Sequence, residues 1–273
     1  MTVLVVDGLR YAVGQRGAGE PLLLVHGFTG RGASLGYHAR AFARRYATLA
    51  VDLPGHGRSG LPADPARASV ERVADDLEAI LHRLDRAPAD VIGYSLGARV
   101  ALRLAAVHPH AVRRLVLESP SAGILDPAER AARRAADAAL ADRIERDGID
   151  AFVAEWERLP LFESHAVLPA PRAAALRAMR LRNRPAGLTA SLRAAGQGSM
   201  EPLHGRLGAV RAPTLVLAGA LDPAGRARAE AVVAGIPGAR LVVVPDAGHT
   251  PHLETPATFR SLVLEFLQED RAA

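Results

Sequence analysis

Short apolar runs dominated by Val, Ile and Leu recur at residues 3–6, 11–13, 22–25, 48–51, 90–92, 115–117, 214–217 and 241–244. Each is bounded by turn-forming residues, and continuous apolar runs of this length suit β-strands covered on both faces. Between the later runs, apolar positions repeat with helical period over 69–85, 96–107, 224–234 and 256–269, and Ser69 stands where an N-cap is expected. Strands alternating with helices predict an α/β fold, a mostly parallel central sheet with helices on both faces.

The alternation stops between residues 121 and 208. Helical patterns follow one another there, over 127–147, 149–158, 171–181 and 185–195, broken at Asp147-Gly148, Leu159-Pro160, Leu168-Pro169 and Arg184-Pro185. The reading is a helical cap, 121–208, inserted into a core made of 1–120 and 209–273. The stretch ILDPAERAARRAADAALADRIERDG is rich in Arg and Ala, but its acids and bases mix at helical spacing, as on an ordered, solvated helix.

Composition narrows the chemistry. The 273 residues are 49% hydrophobic and 23% charged, enough for a sizeable core, and there is no cysteine. Disulfides, thiolate metal sites and cysteine nucleophiles are therefore excluded, and a cytoplasmic setting is expected. The N-terminus lacks the pattern of a signal peptide, and no apolar run approaches a membrane span. The formal charge is +5, and all 34 Lys-or-Arg positions are arginine. Arginine is so common here that a lone one says little; only its position carries weight. The basic residues are spread over helices that also hold acids, so no nucleic-acid partner is expected, and the chain is read as a monomer or small homo-oligomer.

Gly93-Tyr94-Ser95-Leu96-Gly97 has the form G-x-S-x-G between a predicted strand and a predicted helix. In that context the serine sits on a sharp turn with its hydroxyl exposed, and the Leu96 N–H points where negative charge would develop. His26-Gly27-Phe28-Thr29-Gly30 follows another strand and can present the Phe28 N–H as a second oxyanion donor, with His26 bracing the loop. Asp222 and His249 each follow a later strand, where ligands collect in parallel sheets. The order Ser95, Asp222, His249 suits a nucleophile or base activated by histidine and oriented by aspartate. Asp52 ends a strand too, but DLPGHGRS reads as a shaping turn, and His252 reads as surface. Arg99 raises a problem: four residues after Ser95, it puts a cation in the first turn of a buried helix, where anions are favoured. Taken alone, Arg99 reads as a salt-bridged structural residue.

The chain resembles the α/β-hydrolase fold superfamily over nearly its whole length. Within it the resemblance is to the 2-succinyl-6-hydroxy-2,4-cyclohexadiene-1-carboxylate synthases of menaquinone biosynthesis. It rests on HGFTG, DLPGHGRS, GYSLGARVALRLA, LESPSAGI, ERAARRAADAALA, FVAEWERLPLF, RLRNRPAGLTASLRAAGQGSMEPL and AGHTPHLE. The resemblance implies a lyase that expels pyruvate, without metal or organic cofactor, from a small anionic substrate carrying several carboxylates. Ser95 would act as base, activated by His249 and Asp222. Arg99 and Arg133 would meet substrate carboxylates, with a further arginine at Arg180 or Arg182; Tyr94 and Trp156 match the family's aromatic positions. Arg133 also fits a solvated helix face, and Trp156 simple cap packing. After Asp222 the family's lysine and aromatic are replaced by Pro223-Ala224-Gly225-Arg226, which puts local loop contacts in doubt. The rival reading is an ester, lactone or C–C hydrolase that acylates Ser95, whose pocket should be apolar at the depth of Arg99. A non-catalytic binding module would have no need of the three-residue set.

Overall fold

The computed structural model describes residues 1–269. The strands are β1 (Thr2–Val6), β2 (Leu9–Arg16), β3 (Glu20–Val25), β4 (Tyr46–Val51), β5 (Ala89–Tyr94), β6 (Val112–Glu118), β7 (Thr214–Gly219) and β8 (Arg240–Val244). They form one sheet in the order β1-β2-β4-β3-β5-β6-β7-β8. β2 pairs antiparallel with β1 and β4, and every other pairing is parallel. All eight apolar runs lie within these strands.

The helices are α1 (Gly36–Phe42), α2 (Val70–Arg83), α3 (Leu96–Val107), α4 (Pro127–Trp156), α5 (Ala170–Leu181), α6 (Pro185–Ala195), α7 (Pro223–Gly235), α8 (Pro251–Glu254) and α9 (Pro256–Gln268). The alternation of side chains along a strand divides the core into two layers. Leu23 and Val25 of β3 pack in one layer with Leu77 of α2, Leu104 of α3 and Val232 of α7. Leu22 and Leu24 pack in the other with Phe42 of α1 and Phe259 and Val263 of α9. Each such side chain contributes about 1.5–3 kcal/mol when fully buried. Ser69 caps α2 as expected, its hydroxyl accepting from the Arg72 N–H.

Two local readings change. The run at 3–6 is covered on one face only: Val3 and Val5 are each 56% exposed, because β1 lies at the edge of the sheet and no helix among the described residues covers its outer face. The seven-residue α1 has no clear signal, since only His38, Ala39 and Phe42 are buried, and one of these three is itself polar.

The helices between β6 and β7 stand over one end of the sheet. The break expected at Asp147-Gly148 is a kink inside α4, where Gly148 takes φ 83°, a value that L side chains rarely adopt. Ala141, Ile144, Phe152 and Val153 of α4 bury against Leu188 and Leu192 of α6. No helix among the described residues is long and apolar enough to cross a membrane.

The cap is seated on the core through a backbone contact. Gly187 of α6 lies against Gly55 in the turn after β4, so that a Cβ on Gly187 would overlap the Gly55 carbonyl. Gly187→Ala should therefore destabilise by about 1–3 kcal/mol through overpacking, although alanine favours a helix by about 1 kcal/mol. Urea unfolding checks this; an unchanged or raised midpoint would mean that the cap rests loosely on the core.

Candidate active site

Four loops meet at the C-terminal ends of the parallel strands. Ser95, between β5 and α3, has φ 50° and ψ −107°. Such a conformation costs a non-glycine residue about 1–3 kcal/mol. The neighbouring glycines allow it: a Cβ on Gly93 would strike the Gly97 carbonyl, and one on Gly97 would strike the Val25 carbonyl. The Ser95 N–H is held by the Glu118 carbonyl of β6 at 2.9 Å. The hydroxyl thus stands clear of the sheet at the start of α3, whose first N–H groups have no partner within the helix.

Asp222 follows β7 and does two things at once. Oδ1 caps α7 by accepting from the Gly225 N–H at 2.7 Å, while Oδ2 lies 2.8 Å from His249 Nδ1. His249 Nε2 lies 3.1 Å from Ser95 Oγ. Burial opposes the charge on Asp222, but the hydrogen bonds from His249 and Gly225 outweigh it and hold the carboxyl below its ordinary range. An ionised carboxylate only accepts, so His249 carries its proton on Nδ1 and turns a lone pair on Nε2 towards the serine.

His26 is fully buried at the end of β3. Its Nε2 accepts from the Leu53 N–H at 3.0 Å, which leaves the proton on Nδ1 to be donated to the Gly27 carbonyl at 2.8 Å. Burial pushes its pKa down to about 4. It therefore stands as a neutral brace for the loop that carries Phe28. Asp52 accepts from the Gly32 N–H at 2.6 Å and the Arg58 N–H at 2.8 Å, the contacts of a turn-shaping residue.

Ser95 and His249 open onto a cavity of about 340 Å³ that also meets Arg99, Arg133 and Trp156. Arg99 is half-buried. Its guanidinium donates to the Ala195 carbonyl at 2.7 Å and touches Met200 Sδ, and it pairs with no acidic side chain among the described residues. Burial, with the like charge of Arg133, pushes its pKa down to about 10; Asp137 and Glu71 oppose this from a distance. Arg133 is bonded to Asp137 at 2.9 Å, one turn along α4. Trp156 packs edge-on to Phe28 with ring centroids 5.4 Å apart.

Tyr94, Arg180 and Arg182 line a neighbouring cavity of about 320 Å³, which shares Phe28 with the first. Neither Arg180 nor Arg182 lines the cavity of Ser95. Arg180 is 4% exposed, paired with Glu157 at 3.2 Å and stacked over Phe162 at 4.9 Å. Burial pushes the Tyr94 phenol up.

His252 is buried, not a surface residue. Its ring Nδ1 lies 2.9 Å from Glu118 Oε1, its backbone N–H donates to the same oxygen at 2.8 Å, and its ring meets Tyr94 edge-on with centroids 4.6 Å apart. The sequence TPHLE carries no apolar period that could have signalled this. Gln197 and Arg228 also line the Ser95 cavity, and the sequence did not single them out. Arg226, which stands near the family's missing lysine, instead pairs with Glu230 on the exposed side of α7 at 2.8 Å.

Comparison with known proteins shows which family the chain resembles over its length. Residues 20–256 match the family model of the alpha/beta hydrolase fold. The chain is 38% identical, over 98% of both chains, to a putative 2-succinyl-6-hydroxy-2,4-cyclohexadiene-1-carboxylate synthase of Bacillus subtilis strain 168. It is 33% identical, over 90% of its own length and 93% of the relative's, to the synthase of that name from Klebsiella pneumoniae subsp. pneumoniae. Among solved structures, MenH from S. aureus superposes with a TM-score of 0.90 at 32% identity, covering 96% of this chain and 98% of that one.

The buried histidines set an acid limit on this architecture. Folding lowers His26 from 6.5 to about 4 and His56 from 6.5 to about 3, so below pH 6.5 the unfolded chain binds protons that the folded one refuses. Stability should be level above about pH 7 and fall as pH drops from about 6.5 towards 4. Urea midpoints measured across that range check this; a flat profile would mean that these histidines are charged in the fold.

Proposed function

The chain belongs to the α/β-hydrolase fold family and, within it, to the 2-succinyl-6-hydroxy-2,4-cyclohexadiene-1-carboxylate synthases; on that premise we propose that it eliminates pyruvate from 2-succinyl-5-enolpyruvyl-6-hydroxy-3-cyclohexene-1-carboxylate. The product is the 2-succinyl-6-hydroxy-2,4-cyclohexadiene-1-carboxylate of the relatives' names.

The two names define the bond changes. The substrate has one ring double bond, at C3, a succinyl ketone on C2 and an enolpyruvyl oxygen on C5. The product has double bonds at C2 and C4. The proton leaves C2, where the ketone acidifies it. Its electron pair forms C2=C3, the C3=C4 pair shifts to C4=C5, and the C5–O bond breaks. The leaving enolate takes up a proton and becomes pyruvate.

Ser95 is the base for this step, and His249 Nε2, 3.1 Å from its oxygen, accepts the hydroxyl proton. Asp222 keeps the imidazole in the required tautomer and stabilises the imidazolium that forms. As C2 loses its proton, charge develops on the ketone oxygen, and the backbone N–H groups of Leu96 and Phe28 are the donors that receive it. Removing one such donor typically costs about 3–4 kcal/mol of transition-state stabilisation. Arg99 and Arg133 bind carboxylates of the same substrate, and Trp156 covers the ring. Tyr94 and the buried Arg180, with Arg182 beyond, serve the part of the substrate that reaches past Phe28.

The observation that carries this reading is Arg99. A hydrolase of neutral esters gains nothing from a poorly solvated cation in the cavity of its serine. A substrate carboxylate, in contrast, would form a charge-assisted bidentate pair with it and offset its desolvation.

The test is to supply the enolpyruvyl substrate and measure pyruvate release. Ser95→Ala should lose at least about 10³-fold in kcat while keeping its unfolding midpoint, in line with losses seen when such sets are broken. Arg99→Met should lower kcat/KM for pyruvate release roughly 100-fold, the equivalent of about 3 kcal/mol for a buried charge partner. Turnover close to wild type in the serine variant would remove Ser95 from the chemistry. Unchanged kcat/KM in the arginine variant would remove Arg99 from substrate binding.

A further inference from the structure

Away from the cavities, the fold assembles a second chemically distinct cluster. Glu78 and His82 lie one turn apart on α2, so both side chains leave the same face of the helix. His110 lies in the 3-10 turn Pro109–Ala111 that joins α3 to β6. His82 Nε2 is 3.1 Å from Glu78 Oε1, and His110 Nε2 is 3.4 Å from the same oxygen. The three potential ligand atoms all lie within 4.8 Å of one another. His82 and His110 are exposed and Glu78 is half-buried, so an ion can reach them from solvent.

These distances fit metal coordination. Zinc binds imidazole nitrogen and carboxylate oxygen at about 2.0–2.2 Å, so two ligands on a tetrahedral ion lie roughly 3.4 Å apart. The two separations from Glu78 Oε1, 3.1 and 3.4 Å, already lie close to that length. The two imidazole nitrogens lie within 4.8 Å of each other, and both rings are on the surface with room to turn. The supports are fixed: α2 and the turn are joined a second time by His108 Nε2 and Asp75 Oδ1 at 2.8 Å, with the His108 ring edge-on to that of His110. Two imidazoles and one carboxylate suit a borderline transition-metal dication better than magnesium or calcium, which prefer all-oxygen sets.

We propose that Glu78, His82 and His110 form a surface site for a transition-metal dication such as Zn²⁺, which cross-links α2 to the connection between α3 and β6. The site stands at the C-terminal end of α3, and Ser95 at its N-terminal end. Twelve residues of helix separate them, about 18 Å at 1.5 Å per residue. The ion therefore acts on the fold and not on the reaction: by binding the folded chain alone, it stabilises that state.

Calorimetric titration of the full chain with ZnCl₂ tests this, with MgCl₂ and the His204→Ala variant as controls; His204 lies outside the cluster, in the 3-10 turn His204–Ala209. The expected result is one saturable Zn²⁺ site, no Mg²⁺ binding, and wild-type affinity in His204→Ala. His82→Ala, His110→Ala and Glu78→Gln should each weaken Zn²⁺ at least about tenfold, since even outer partners of a metal site act on that scale. Zn²⁺ should raise the thermal midpoint of the wild type and not that of the double variant His82→Ala/His110→Ala, while the rate of pyruvate release by the wild type stays the same. Absence of a saturable site, or equal affinity in the histidine variants, would overturn the proposal.

Discussion

Arg99 carries a positive charge to a place where neither water nor a protein carboxylate neutralises it well. Its hydrogen bond goes to the Ala195 carbonyl at the C-terminal end of α6, a partial negative charge only. Burial lowers its pKa to about 10, so the fold bears a continuing electrostatic cost at that point. The surroundings keep that charge available. Arg133, across the same cavity, is tied to Asp137, and on the outside Asp142 and Glu145 of α4 pair with Arg193 of α6. An anion arriving in the cavity meets Arg99, which has no carboxylate partner among the described residues, Arg133, which is partly neutralised, and Arg228, which also lines it.

The cap supplies half of this arrangement and is fastened to the catalytic loops rather than merely laid over them. Ser164 donates to Glu254, and His165 lies 2.7 Å from Thr250 Oγ1, so the segment after α4 holds the residues that flank His249. Ser119, at the end of β6, donates to the His249 carbonyl at 2.9 Å. Asn183 bonds the Thr29 carbonyl at 2.8 Å and so fixes the Phe28 loop from the cap side. Displacement of the cap would therefore disturb Arg99's acceptor, the histidine loop and the oxyanion loop together. In the proposed reaction this coupling matters, because the base, the oxyanion donors and the carboxylate anchors must all address one rigid ring.

Much of this could be read in the sequence, and physical reasons mark where it could not. The strands were legible because parallel strands buried on both faces leave unbroken apolar runs. β1 departs from that rule because an edge strand exposes Val3 and Val5. The helix starts were legible where Ser69 or Pro256 marks them, and α1 was not, being too short to establish a period. Ser95 and Asp222 stand 154 and 27 residues before His249 in sequence, yet each of the three follows a strand, and the strand order brings their loops together. The spacing of Arg99 to Ser95 places it one helical turn away, but taken alone it reads as a salt-bridged residue, and only the family resemblance points it at a substrate carboxylate. The cap residues were harder. Whether Arg133, Arg180 or Arg182 reaches a given cavity depends on how α4, α5 and α6 pack, which periodicity does not encode. His252 and the Glu78, His82 and His110 cluster depend on contacts between distant segments, for which a single sequence carries no local signal.

The most direct measurement is a crystal structure of the chain with 2-succinyl-6-hydroxy-2,4-cyclohexadiene-1-carboxylate bound. Anchoring by Arg99 requires a product carboxylate in bidentate contact with its guanidinium, at about 2.7–2.9 Å, with the ring stacked below Trp156 and C2 facing Ser95 Oγ. A product whose carboxylates all lie elsewhere, with Arg99 still turned to the Ala195 carbonyl, would contradict it.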